Sequence, residues 1–449
     1  MNAPDPAAPP ASDASGSSAP SASSASSASS DPLVSFAALR TEEGAALLAG
    51  LASYDPAQEL AVATRLRRDH PAELVSAALG QARLRQRAAA KFGADDAQRM
   101  FFTPNGVEQA TRRSVAAYRA GRLAALGVRS VADLCSGIGG DAIAFARAGI
   151  RVLAVDRDPL TAEVVRANAE TLGLAGLIEV RCADVTEVDV SAYDAVFVDP
   201  ARRGGAGSAA RGGPGAGGGR GPGAGGGRIF DPEAYSPPLS WAVGAARTRP
   251  HAALKVAPGI PHEAVPEDAE AEWISDGGEV KEAVLWFGTR PGTVTATLLP
   301  GPRSLTGRGL PDPPVRKVGR YLYEPDGAVI RAHLVAEAAE ELDGGLIDET
   351  IAYITADELR PTPYATAYEI TDELPFNVKR LKALLRERGT GVLTVKKRGS
   401  AVEPEELRRK VKSALGSGPH AVTVFLTRVA GAPTMLLGRP VGSPLQPCP

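Results

Sequence analysis

Four short apolar runs, each stopped by an aspartate, constrain the fold of this chain more than any other feature. Val128 and Val131 lead to Asp133, and Arg151 to Val155 leads to Asp156. Ile178 to Ala183 leads to Asp184, and Tyr193 to Val198 leads to Asp199–Pro200. Stretches with helical spacing lie between them, Ala142 to Ala148 being the first. Buried strands alternating with helices make a parallel sheet, and ligands bind such sheets outside the carboxyl ends of the strands. The four acids therefore stand along one rim. Taken singly, each also reads as a helix cap or a solvated loop residue. Their order is what argues for a site.

Behind the first acid comes the loop Asp133–Leu–Cys135–Ser–Gly137–Ile–Gly139–Gly–Asp141. Gly137 and Gly139 lack the β-carbons that keep a backbone away from a ligand. The helix that follows presents unpaired N–H groups to the same spot. Gly137-x-Gly139-x-x-Ala142 also satisfies the dinucleotide fingerprint, with Asp156 at a spacing suited to a ribose. The glycines alone leave the cofactor open.

Taken together, the series resembles the class I S-adenosylmethionine-dependent methyltransferases, from about Leu126 to Pro300. The resemblance implies an α/β fold with a Rossmann-like seven-stranded sheet, and S-adenosyl-L-methionine as cofactor. It puts Asp133, Cys135, Gly137 and Gly139 near the methionine part, Asp156 on the ribose hydroxyls and Asp184 at the adenine amino group. It makes Asp199, Pro200 and Arg202 the catalytic positions, where the methyl acceptor enters. Enzymes of this class that act on base amines carry an aromatic residue where Arg202 stands. Phe230, Tyr235 or Phe102 is then the ring available to stack on a base. Uracil carbon-5 methyltransferases need a cysteine after a later strand, and the fifth strand here runs into Lys255–Val–Ala–Pro–Gly instead. Lys255 is read as an acceptor contact or as a solvated strand end.

The remaining segments arrange themselves around that sheet. Residues 1–31, mostly Ser, Ala and Pro, cannot bury enough apolar surface to order, and read as a disordered tail. Residues 32–126 have helical spacing throughout and read as a helical domain. Within it, Phe101–Phe102–Thr–Pro–Asn–Gly resembles the pre-sheet element of trimethylguanosine synthase relatives, which lies against cofactor and acceptor. Phe101 and Phe102 are thus substrate-binding candidates, with core packing as the plainer alternative. Residues 127–300 form the methyltransferase domain, interrupted at 203–228 by a Gly-rich insertion that reads as disordered. Its arginine–glycine steps resemble segments that hold single-stranded RNA; a neutral expansion is the simpler account. Ala283–Gly288 and Val294–Leu299 are expected to be the antiparallel pair that closes the sheet.

Residues 315–442 read as a second, small α/β unit, which from about Val318 to Val441, and most specifically at Tyr321 to Arg331, resembles the THUMP-like domain found behind bacterial methyltransferase domains. THUMP domains proper bind RNA, so the resemblance implies an RNA substrate. Basic residues crowd this unit from Lys379 onward, and Lys379, Lys396, Lys397 and Arg398 are the phosphate-contact candidates. A solvated helix face is the alternative.

The overall charge of −2 argues against a chain that is basic throughout, and the three cysteines have neither metal-ligand nor disulfide-framework spacing, so no metal is expected. No uncharged apolar run approaches the roughly 20 residues of a spanning helix, so no membrane is expected. A reducing, cytoplasmic location fits. The expectation is a methyltransferase acting on a nucleobase in structured RNA, transfer or ribosomal. The alternatives are a small-molecule or protein methyltransferase, and a non-catalytic RNA-binding protein with a degenerate sheet.

Overall fold

The computed structural model describes residues 31–201 and 231–442. The tail up to Ser30, the Gly-rich insertion, Arg202 and Phe230 lie outside the described residues. Asp31, which the sequence assigns to the tail, caps α1 (Pro32–Leu39) by accepting Leu33 N at 2.9 Å. There follow α2 (Glu42–Gly50), α3 (Glu59–Leu66), α4 (Ala72–Phe92), α5 (Ala94–Arg99), α6 (Pro104–Gln109) and α7 (Arg113–Ala125). The longest, α4, buries Leu74, Val75, Ala78, Leu79, Ala82, Ala88 and Phe92 along one stripe. That stripe shares a core with one face of the sheet behind it.

The sheet begins with β1 (Ser130–Leu134), α8 (Gly140–Arg147), β2 (Arg151–Asp156), α9 (Pro159–Thr171), β3 (Ile178–Cys182) and β4 (Ala195–Val198). It continues through α10 (Leu239–Ala246), β5 (His251–Val256), β6 (Glu270–Asp276), β7 (Glu279–Phe287), β8 (Val294–Leu299) and β9 (Arg303–Thr306). The strand order is β3-β2-β1-β4-β5-β7-β6-β8-β9. The first five in that order are parallel, and β7 enters antiparallel between β5 and β6. The first seven make the sheet the resemblance implied, and β8 and β9 widen it to nine.

One expected pairing is corrected. The closing partner of β7 is β6, while β8 lies outside it, parallel to β6. Glu270 and Glu272 break the apolar pattern of β6 and hid it, yet both are buried. Glu270 takes Arg122 at 2.6 Å and Arg290 at 2.7 Å. Glu272 accepts from Tyr118, Arg122, Trp286 and Thr297 at 2.6–2.8 Å. Charge pairing and hydrogen bonds let two carboxylates stand where leucines would be expected.

The second sheet contains β10 (Tyr321–Pro325), then α11 (Gly327–Arg331), α12 (Val335–Glu341), β11 (Gly345–Asp348), β12 (Ile351–Ala356) and β13 (Ala365–Pro375). It ends with α13 (Val378–Glu387), β14 (Thr390–Lys397), α14 (Pro404–Val411), β15 (His420–Val429) and β16 (Ala432–Pro440). Its order is β11-β12-β10-β13-β16-β15-β14. Asp326 caps α11 by accepting Ala328 N at 2.8 Å, so the Pro–Asp–Gly step is a helix start. Leu381 and Leu385 of α13 and Leu407 and Val411 of α14 cover one face beside β14. Tyr323, Val329 and Leu334 share a core with Trp273 and Leu285, which ties the two sheets together.

Candidate active site

The parallel order puts the carboxyl ends of β3, β2, β1 and β4 side by side, and Asp184, Asp156, Asp133 and Asp199 with them. Asp133 is fully buried, and neither carboxylate oxygen has a hydrogen-bond partner among the described residues. Burial, then the nearby charges of Asp141 and Asp199, push its carboxyl well above the usual range. An orphaned buried carboxyl is costly unless something binds it.

The loop beyond it is shaped for close approach. Cys135, Gly137 and Gly139 all have positive φ, at 66°, 54° and 86°. Gly137 N donates to Asp156 Oδ2 at 3.0 Å, and Asp158 N donates to Oδ1 at 3.0 Å. Those bonds oppose the effect of burial, which nonetheless raises the Asp156 carboxyl. Burial also pushes the Cys135 thiol up. Asp184 is exposed and caps a short turn, accepting Thr186 N at 2.9 Å and its hydroxyl at 2.7 Å, which lowers its pKa.

Asp199 follows β4 and is partly exposed; Pro200 beside it is buried. Lys255, near the end of β5, donates to Asp199 Oδ2 at 2.6 Å and to Thr111 Oγ1 at 2.9 Å. Its side chain is 4 % exposed, so it is no solvated strand end. Thr111 donates to Asp141 Oδ2 at 2.9 Å, and Asp141 pairs with Arg119, which also pairs with Glu282. Arg119 is fully buried and lies over the Phe197 ring at 4.6 Å. Burial alone would lower its pKa, but Asp141 and Glu282 outweigh it and hold the guanidinium up. A chain of polar contacts therefore runs from α7 through the sheet to Asp199.

Thr111, Arg119, Asp141 and Glu282 were not singled out from sequence. The available signal was a charge inside an apolar stripe: Val115, Ala116, Arg119, Ala120 and Leu123 are all buried on α7.

Phe101 and Phe102 are corrected in place. Both rings are buried, Phe101 edge-on to Phe36 and Phe102 tilted against Phe92. They pack the core and present no open platform. Their backbone is what reaches the site. Gln81 brackets Phe102 at 2.6 and 3.0 Å, and Asn168 accepts from Phe101 N at 2.6 Å while donating to Ile138 O at 3.0 Å. Asn168 thus bridges the pre-sheet segment and the glycine loop.

The basic cluster is corrected too. Lys396 pairs with Glu324 and lies over Tyr368, Lys397 pairs with Glu403, and Arg398 lies over Tyr353. Adjacent strand residues face opposite ways, so these three form no single patch. Lys379, on α13, is exposed and has no ion pair among the described residues. Also among the described residues, no group of His, Cys, Asp or Glu could hold a metal ion, and no helix is long and apolar enough to cross a membrane.

Sheet order, glycine loop and acid rim define a class I methyltransferase fold. Residues 128–208 match the family described as RNA cap guanine-N2 methyltransferase, residues 365–440 match THUMP domain-like, and residues 31–88 match a domain of unknown function. Proteins from two strains of Mycobacterium tuberculosis, each described as an uncharacterized S-adenosylmethionine-dependent methyltransferase, are 32% identical over 355 residues. That alignment covers 76% of this chain and 90% of theirs. A crystal structure described as a methyltransferase, from Porphyromonas gingivalis W83, superposes with a TM-score of 0.65 at 20% identity. It covers 87% of this chain and 100% of that one, a likeness of fold. The chain belongs to the S-adenosylmethionine-dependent methyltransferases, and S-adenosylmethionine is its cofactor. The orphaned Asp133 carboxyl and the positive-φ loop suit a cationic, closely held nucleoside.

Proposed function

We propose that this methyltransferase modifies a nucleobase nitrogen in structured RNA, transfer or ribosomal. The observation that carries the reading is the Asp199–Lys255 pair: a partly exposed carboxylate, fixed by a buried ammonium, at the end of β4. The match to a guanine-N2 methylating family and the THUMP-like match point to RNA. Lys382 and Arg386 stand with Lys379 on α13 at three- and four-residue steps, a row suited to phosphates.

S-adenosylmethionine supplies a methyl group already activated on a cationic sulfur. What remains for the chain is alignment and exclusion of water. Asp133 would hold the methionine ammonium, Asp156 the ribose hydroxyls and Asp184 the adenine edge. Asp199, its Oδ2 held by Lys255, offers Oδ1 to an amine hydrogen and localises the nitrogen lone pair. The bound cofactor would supply the methyl group to that nitrogen, and the amine proton would pass to solvent beside the partly exposed Asp199. Arg202, next in chain to this mouth, is a group for stacking or phosphate contact.

The test is nucleoside mass spectrometry on RNA from strains with and without the gene, with labelled-methyl transfer to that RNA in vitro. A methylated nucleoside should vanish on deletion and return with the parent gene, not with Asp199→Ala. Cofactor binding without transfer to any RNA would overturn the substrate assignment and favour a small-molecule or protein acceptor.

A further inference from the structure

A cleft of about 390 Å³ opens past the end of β5, between the loop Pro258–Glu263 and the end of α11. It belongs to the same carboxyl rim as Asp199, because Pro258 lies two residues past the end of β5 and three after Lys255. Two of its lining residues, His262 and His333, continue a stack of three rings that starts in the core. Trp273 is fully buried, His262 lies against it at 4.7 Å and 12°, and His333 lies on His262 at 3.8 Å and 9°. The stack runs from the core outward and ends at an exposed imidazole. Trp273 Nε1 donates to Pro258 O at 3.0 Å, and a ring nitrogen of His262 bonds Arg331 O at 2.8 Å. Both inner rings are therefore fixed. Exposed Arg331 and Glu263 line the same cleft.

The backbone at His333 carries the second observation. Leu334 N bonds Val329 O at 2.9 Å and His333 N bonds Ile330 O at 3.1 Å, closing α11 with His333 at φ 57°. Glycine is the usual residue at that left-handed position, because a side chain there is strained. Here the strained position carries the exposed end of an aromatic stack, and such strain concentrates at ligand sites. Burial and His262 also lower the His333 pKa, which favours the neutral, stacking form.

We infer that this cleft is a nucleotide subsite, in which a base stacks on His333 and Arg331 takes the adjoining phosphate of a single RNA strand. The RNA source rests on the function proposed above; the nucleotide chemistry rests on the cleft alone. Bases stack on such rings without regard to sequence, and a guanidinium beside them pairs with phosphate.

The full chain has five histidines, so ring signals of ¹³C-labelled histidine are few enough to assign. Titration with guanosine 5′-monophosphate should shift His262 and His333 saturably, and inorganic phosphate alone should not. A short single-stranded oligoribonucleotide should shift the same two rings. Arg331→Ala and His333→Gly should each weaken binding about tenfold. Glycine suits the left-handed backbone, so loss in His333→Gly cannot be put down to misfolding. No ring shift with the nucleotide overturns the inference. Shifts with the mononucleotide but not the oligonucleotide mark a free-nucleotide site and overturn it as well. Both shifts present, in a protein that methylates no RNA, would sink the function proposed above and leave the subsite standing.

Discussion

Lys255 and Asp199 stand one step beyond the registered pair Leu254 and Val198, and the lysine ammonium donates to Oδ2 of the carboxylate at 2.6 Å. A buried cation thus fixes the group that is proposed to meet the methyl acceptor. Lys255→Met removes the donor while keeping length and apolar bulk. We expect turnover to fall about 100-fold, the scale of losing alignment at the reacting centre. Affinity for S-adenosylmethionine, measured by calorimetry, should change by less than about threefold, because the residues proposed to hold the cofactor lie at the ends of β1, β2 and β3. Equal losses of both would make Lys255 a structural residue only.

Arg119 serves two buried carboxylates at once, Asp141 and Glu282. Arg119→Met leaves both without a counter-ion, and breaking such a buried set costs about 3–5 kcal/mol. Urea unfolding should show that loss. Adding Glu282→Gln should recover part of it, since one stranded charge is then gone. A single variant as stable as the parent would mean that the pairing contributes nothing.

Much of this architecture was readable in sequence because the parallel strands are uninterrupted apolar runs with acids at their ends. The β6 strand was not, because Glu270 and Glu272 look like solvent residues until Arg122, Arg290 and Trp286 are seen around them. The Asp199 network was half legible. Asp199 and Lys255 were candidates, but Thr111 and Lys255 are 144 residues apart, and Arg119 and Glu282 are 163 apart. No local pattern encodes such pairs. Two adjacent phenylalanines are equally at home under a ligand and in a core, and only packing decides; Phe101 and Phe102 went to the core. Charge runs hide their partners in the same way, as Lys396 with Glu324 illustrates.

Asp133 makes stability depend on pH in a defined direction. Its folded pKa lies well above the unfolded value of about 3.9, so between the two the folded state binds more protons. Its contribution is therefore full below the unfolded pKa and is lost as pH rises through the folded one. Asp133→Asn deletes that dependence. Relative to the parent, the variant should gain stability as pH rises above the unfolded value of about 3.9, read from urea midpoints. It should also bind S-adenosylmethionine more weakly, through loss of the carboxylate. A variant whose stability relative to the parent does not change over that range would refute the burial argument.

Gly106 of α6 sits so close to the glycine loop that a Cβ there would overlap Ile138 Cγ2 and Thr103 Oγ1. Gly106→Ala should push Ile138, and with it the cofactor loop, outward. We expect weaker cofactor binding by about 1–3 kcal/mol, the usual cost of overpacking. Ile138→Ala in that background should restore part of the loss, because the colliding methyl is then gone. Additive effects of the two changes would show that the packing there does not transmit.

The pairing pattern of the carboxyl-terminal cations separates phosphate binding from internal structure. Lys379, Lys382 and Arg386 of α13 have no ion pair among the described residues, whereas Lys396 is tied to Glu324. Replacing all three α13 residues with alanine should weaken RNA binding at low salt. It should also flatten the slope of log affinity against log salt by about 0.7–0.9 for each phosphate that is no longer neutralised. Lys396→Ala should leave that slope alone and lower the melting temperature instead, since Glu324 then loses its half-buried partner. If Lys396→Ala flattens the slope and the α13 triple variant does not, the RNA track follows β14 and not the helix.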